Sequence, residues 1–355
     1  MTHSKLNNFY SIYAKTALTL VSVITIGYIF ILGKEILAPL MFSFLFAVFL
    51  MPVTRFFELK CKMTRAAAAS LSVIILASVI ITATYFLSAQ ISLFARQWPS
   101  FRQTYALTLT KIENWVTSNL HIDVTHQLKY INSETSGLTS STPFIIGETV
   151  LSISSILFLF VFILIDTFFI LYYRKLLMKF LIAIFKEHNI PAIADIAAQI
   201  KYVVTKYILA LFFEIIAVAT VCCIIFSLIG MRYALLLGLI MGILNLVPYF
   251  GIIAAYLLTI LVTIGTGASG NTIFFMSLSV FIIHLSDSNI LRPFLIGSRM
   301  KINAFVTLLG VVLGQMMWGV AGMLLAMPVI AICKILFDRI EIMKPWGMLL
   351  SEDKK

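Results

Sequence analysis

Long apolar runs separated by short polar stretches organise this chain from end to end. A helix needs about 20 apolar residues to cross a hydrocarbon core roughly 30 Å thick. Six runs meet that length: Ile12 to Leu32, a second from just after Gly33, Lys34 and Glu35 to Phe57, Ala66 to Ala95, Ile145 to Tyr173, Tyr202 to Ile229, and Thr272 to Leu291. Pro39 and Pro52 fall near the ends of the second run, where a missing helix donor costs least.

Two further runs are too long for one crossing. Asn303 to Phe337, as a single helix, would reach roughly 50 Å. The small residues of the Trp318, Gly319, Val320, Ala321, Gly322 segment offer a place to fold back between packed helices. Tyr233 to Ile264 is interrupted by Asn245, Leu246, Val247, Pro248, Tyr249, Phe250 and Gly251, where proline removes a donor and glycine frees the backbone. The legs on either side are short for a crossing. The pattern predicts an all-α polytopic membrane protein with about six spanning helices plus two broken or re-entrant helical hairpins.

Polar segments divide the chain further. After residue 96 the composition turns polar, and Trp98, Phe101, Tyr105, Leu109, Ile112, Trp115 and Leu120 recur at helical spacing, which predicts an amphipathic helix packed on a neighbour or on lipid headgroups. The expected parts are membrane helices over 1–96, an amphipathic region over 97–146, a membrane helix over 147–173, a connector over 174–201, a core carrying both hairpins over 202–338, and a tail over 339–355.

Composition agrees with the pattern: 61% of the 355 residues are hydrophobic and only 12% are charged, against about 25% in soluble domains. The net charge of +11 would suggest nucleic acid in a soluble chain. Here the cations lie in short loops beside apolar runs, as cytoplasmic loops do under the positive-inside rule, so no nucleic-acid partner is expected. Arg55, Lys60, Lys62 and Arg65 place the first loop in the cytoplasm, and with it both termini. The 97–146 region then lies outside and 174–201 inside, in a plasma membrane. The initial apolar run lacks a small-residue cleavage site and is expected to remain as a helix.

Candidate chemistry is sparse. Four cysteines include no CxxC pair, and His121 and His126 do not share a helical face, so no metal or other cofactor is expected. HExxH, nucleophile-elbow and Walker patterns are missing, which argues against an enzyme and leaves any transport passive or driven by an ion gradient. Acids inside apolar runs ask for a reason, because a charge at the bilayer centre costs at least about 2.5 kcal/mol. Glu214 lies near the middle of its run and Asp287 near the end of its own, one turn from Arg292. For Glu214 the alternatives are ion coupling or a structural hydrogen bond. For Asp287 they are solute contact or an ion pair.

Two stretches carry a family resemblance. NILRPFLIGSRMKINAF followed by GVVLGQMMWGVAGMLLAMPVIAICK and FDRIEIMKPWG resembles the C-terminal signature of the autoinducer-2 exporter family of bacterial membrane transporters. RYALLLGLIMGILNLVPYFGIIAAY is similar to that family's other diagnostic stretch. Glu214 matches an acidic position common in the family, whereas Ala210 replaces a usual glycine, His284 a frequent glutamine and Ser288 a frequent asparagine. The resemblance implies efflux of a small polar solute resembling autoinducer-2, with sodium/proton antiport as the alternative and a homopentamer as the assembly. A non-transporting scaffold is the alternative of another class.

Paired broken helices expose backbone groups that can bind solute without a dedicated charge; the same glycines and prolines also serve helix packing. The expected solute pathway comprises Asn245, Pro248, Tyr249 and Gly251 in the first break, Asn289, Pro293 and Gly297 after the sixth run, and Gly319 and Gly322 in the second break. Glu214 and Asp287 are the coupling candidates, with protons or sodium as coupled ions.

Overall fold

The computed structural model describes residues 3–120, 142–184, 190–248, 250–296, 302–339 and 341–351. Their regular structure is helical: α1 (His3–Leu32), α2 (Lys34–Leu59), α3 (Arg65–Arg96), α4 (Trp98–Leu120), α5 (Thr142–Ile184), α6 (Ile190–Leu228), α7 (Ala234–Leu244), α8 (Phe250–Gly265) and α9 (Gly270–Ser286) come first. A π-helical turn (Asp287–Leu291), α10 (Arg292–Ile296), α11 (Ala304–Arg339), a 3-10 turn (Glu341–Met343) and α12 (Lys344–Leu350) follow. Large apolar side chains such as Ile24, Phe86, Phe158, Phe213 and Phe274 lie exposed on helix exteriors, as suits a chain whose solvent is lipid. The fold is that of an all-α, multi-pass membrane protein.

Among the described residues six helices are long and apolar enough to cross a membrane: Lys34–Leu59, Arg65–Arg96, Leu157–Phe180, Asp195–Leu228, Gly270–Leu295 and Ala304–Arg339. The number is the expected one, but the membership differs. The first run supplies only the shorter apolar helix Ala17–Leu32, and the C-terminal run takes its place. That last helix is two legs, because Gly319 sits at φ 64°, ψ −141° and breaks the helical path. Its legs fold together: a Cβ on Gly314 would lie 2.4 Å from the Gly322 carbonyl oxygen, and one on Gly322 would lie 2.0 Å from that of Gly314. Only a backbone without side chains there allows the contact.

The other long run is also a hairpin. Its legs, α7 with 11 residues and α8 with 16, are about 16 and 24 Å long, so neither matches a membrane thickness of about 30 Å. Between them Gly251 donates to the Val247 carbonyl at 3.0 Å. A Cβ on Gly251 would fall 1.7 Å from the Leu244 carbonyl oxygen, so the turn needs glycine there.

Helices run further than the polarity of the 174–201 segment suggests. No proline or glycine interrupts residues 174 to 184, and α5 continues to Ile184, past Tyr173; α6 begins at Ile190. Arg174 pairs with Glu58 of α2, with the same guanidinium two turns from Asp166. The amphipathic α4 packs on a neighbour. Phe101 is buried against Gly265 at the end of α8, and Tyr233 donates to Gln97 Oε1 at 2.7 Å.

Buried hydroxyls between helices find acceptors, as they must in lipid. Ser43 donates to the carbonyls of Pro39 and Ile163, and Thr54 donates to Ser72 Oγ at 2.9 Å. These bonds, with the apolar cluster of Ala47, Leu50, Ala69, Val73 and Leu171, join α2, α3 and α5. A second and larger cluster joins α4 and α6 to α9 around Phe226, Leu237, Met241 and Met276.

Candidate functional site

The site is built on one buried stripe of α6. Val204, Tyr207, Ala210, Glu214, Val218, Cys222 and Phe226 recur every three or four residues and are all buried, so the helix places a carboxylate in the middle of an otherwise apolar face. Two glycines of α7 then let that helix lie almost in contact with the stripe. A Cβ on Gly238 would meet Cys223 Sγ at 2.5 Å, and one on Gly242 would meet the Ile215 carbonyl oxygen at 2.8 Å. The two helices run antiparallel, so the next turn of α7 delivers Asn245 to Glu214.

Asn245 closes α7 and is 3% exposed. Its Nδ2 donates to Glu214 Oε1 at 2.9 Å and to Asp287 Oδ2 at 3.2 Å. An amide nitrogen has two protons, so one side chain can hold both carboxylates. The break in the first hairpin thus places the Asn245 side chain, buried, between the two acids.

Asp287 reaches the same point through a change of helix type. Pro293 has no N–H to offer and would clash with the carbonyl of residue 289 in a continuous α-helix. The chain widens into a π turn over Asp287–Leu291, and the Arg292 N–H bonds to the Asp287 carbonyl five residues back. On an α-helix, residues 287 and 292 would point about 140° apart. The wider turn brings them together: Arg292 Nε lies 3.1 Å from Asp287 Oδ2 and 3.0 Å from Glu214 Oε1.

Two carboxylates, one amide and one guanidinium thus form a closed network across α6, the α7–α8 break and the π turn. The acids are buried, with 5% and 3% of their side chains exposed, while Arg292 is 31% exposed. With both acids ionised the network carries −1, two negative charges against one positive. Asp287 Oδ1 is buried without a partner among the described residues, as is His284 Nδ1 one turn earlier. The cluster is thus net negative and incompletely satisfied among the described residues.

The remaining expected pathway residues sit elsewhere. Asn289 is exposed and donates to its own helix at Leu285, and Pro293 is exposed; its part is to force the π turn. Pro248 accepts from Phe250 N–H at 2.7 Å inside the first break. Gly251 and Gly322 serve close packing, and Gly319 makes the second break beside α1, where Trp318 donates to the Phe30 carbonyl at 2.8 Å and stacks on its ring. Tyr249 and Gly297 lie outside the described residues. The ion pair of Asp287 with Arg292 that the sequence offered is present; what the sequence did not indicate is that Arg292 also meets Glu214. The signal that finds it is Pro293, which predicts a helix distortion there.

A cavity of about 550 Å³ lies between the start of α6 and the end of α11, lined by Asp195, Gln199, Lys334 and Asp338 among others. It does not include the acid pair. Arg339 pairs with Asp195 across it, tying α11 to α6.

Comparison with known proteins now decides the class. The profile of the AI-2E family transporter matches residues 19–342. The chain belongs to the AI-2E transporter family. Among its relatives is "Putative transport protein YrrI" of Bacillus subtilis (strain 168), 37% identical over 31% of each chain. YueF of the same organism, likewise described, is 29% identical over 46% of this chain and 43% of its own. YhhT of Escherichia coli (strain K12), again so described, is 23% identical over 85% of this chain and 84% of its own. The matches therefore span less than half of YrrI and YueF. These relatives are described as putative transport proteins, and the acid pair with Arg292 is a charged site buried in this chain's fold.

Proposed function

We propose that the protein exports a small polar solute, of the autoinducer-2 type, from a bacterium across its plasma membrane, and that the Glu214, Asp287, Asn245 and Arg292 network couples this movement to an ion gradient. The observation that carries the reading is the pair of buried acids held by a single guanidinium at the junction of a broken helix and a π turn. A charge change at such a junction biases which of its conformations is populated. A proton arriving at the pair removes the excess charge and frees Arg292 from one partner, and a rearrangement of the α7–α8 hairpin follows.

Sodium/proton antiport is the second reading, favoured by the same excess carboxylate, because a cation could replace the proton at Asp287 Oδ1. Flux through purified protein in liposomes tests both. Solute efflux that depends on a pH gradient supports export with proton coupling; sodium flux against protons without any solute requirement supports the antiporter; no flux of either kind sinks both.

Orientation belongs to the same proposal: both termini, Lys60 and Lys179 inside, Thr110 outside. A single cysteine at residue 110 should react with an impermeant thiol reagent added to intact cells, and one at residue 60 only after lysis. Reversal of that pattern would overturn the direction assigned to export. The pathway assigned to Tyr249 and Gly297 is tested the same way, by protection of single cysteines there when solute is present.

A further inference from the structure

Arg292 is held by one corner only. Its Nε takes both acids, at 3.0 and 3.1 Å, and no other Asp or Glu pairs with the guanidinium among the described residues. The side chain is 31% exposed although the acids beneath it are 5% and 3% exposed. The guanidinium is therefore anchored at Nε on a side chain that stays partly exposed, and the outer edge formed by its terminal nitrogens is the two-pronged donor that matches a carboxylate, phosphate or similar oxyanion.

We propose that this outer edge of Arg292 is a binding site for an oxyanionic group, and that the transported solute carries one. The inference rests on the transport reading given above and narrows its solute class. An oxyanion at the outer edge would face Glu214 and Asp287 across the guanidinium, so its arrival and the loss of one negative charge from the acid pair favour each other. The groups that set this balance are Glu214 and Tyr207 on α6, Asp287 in the π turn, Arg292 on α10 and His284 on α9, with uncharged Asn245 from the break between α7 and α8. Tyr207 is buried within electrostatic reach of both Glu214 and Arg292. Anion and proton then bind together, and by linkage each strengthens the other equally.

Sulfate is the probe, since it stays a dianion near neutral pH and leaves any proton uptake to the protein. The full chain in phosphatidylcholine nanodiscs should bind millimolar sulfate, against chloride at equal ionic strength, with uptake of protons seen by an indicator dye in weakly buffered solution. Arg292→Lys, which keeps the charge and loses the fork, should weaken binding by about tenfold or more. If that variant fails to fold, Glu214→Gln with Arg292→Gln keeps the network at −1 and should abolish binding. A phospholipid headgroup has the same chemistry, so nanodiscs containing phosphatidylglycerol and no sulfate form the second arm. Stabilisation by phosphatidylglycerol alone would assign the site to lipid and overturn the solute class. Equal sulfate binding by parent and variants, or none by the parent, overturns the site, and binding without proton uptake overturns the coupling. Solute flux without sulfate binding sinks this inference and spares the transport reading; sulfate binding with no flux of any solute does the reverse.

Discussion

Arg292 Nε lies 3.0 Å from Glu214 Oε1, although 78 residues separate the two in sequence. The contact exists because three local features converge: a carboxylate on the buried face of α6, glycines that draw α7 onto that face, and a proline that widens the helix ahead of Arg292. None of the three is chemistry on its own. Together they place a charged network where lipid would otherwise forbid one.

Glu214→Gln is expected to change transport more than stability. The amide retains an acceptor for Asn245 and Arg292, and the network goes from −1 to neutral, so the unfolding midpoint should stay within about 1 kcal/mol of the parent. Flux in liposomes should fall about tenfold or more, or lose its dependence on pH. Unchanged flux at every pH would return Glu214 to a purely structural role.

Arg292→Gln should do the opposite to stability. Two buried carboxylates would face each other without their cation; breaking a fully buried pair costs about 3–5 kcal/mol, and partial exposure of Arg292 lowers this to about 2. Adding Glu214→Gln removes one of the stranded charges and should recover most of that loss. Thermal unfolding of the two single variants and the double variant reads the coupling directly; simple additivity would mean that the pair does not interact.

The sequence showed some of this and hid the rest for physical reasons. Both long runs announced their breaks through Pro248, Gly251 and Gly319, because those residues act on the backbone where they stand. Glu214 and Asp287 were visible as acids in apolar surroundings. What periodicity could not show was that Asn245 bridges them, since that depends on Gly238 and Gly242 setting the distance between two helices. The pairing of Asp287 with Arg292 was legible from their closeness in sequence, but its geometry was not: at α-helical spacing the two point apart, and the π turn both aligns them and brings Arg292 to Glu214. The ends of α5 and α6 were misplaced because polar residues without glycine or proline do not stop a helix.

Phe101 tests how the amphipathic helix is held. Its ring is 7% exposed and sits where a Cβ on Gly265 would come within 2.2 Å, so it is a main anchor of α4 on the end of the first hairpin. Phe101→Ala should destabilise by about 3 kcal/mol and speed proteolysis within α4. If α4 instead rests on lipid headgroups, the change will be well under 1 kcal/mol in detergent.

The second hairpin gives the sharpest test of backbone packing, since its two legs meet backbone to backbone at Gly314 and Gly322. In Gly322→Ala the new methyl would stand 2.0 Å from the Gly314 carbonyl oxygen, a backbone atom that cannot swing aside, so the legs must part. That overpacking should cost about 2–3 kcal/mol, seen as a lower unfolding midpoint in detergent. Gly314→Ala should behave alike, and the double variant should cost less than the sum, because once the legs have parted the second methyl finds room. Gly27→Ala is the contrasting case: nothing lies within 4 Å of a Cβ there, and alanine favours the helix by about 0.5–1 kcal/mol. If Gly322→Ala proves as harmless as Gly27→Ala, the legs of α11 are not packed glycine to glycine, and the break at Gly319 is a bend in a single helix rather than the tip of a hairpin.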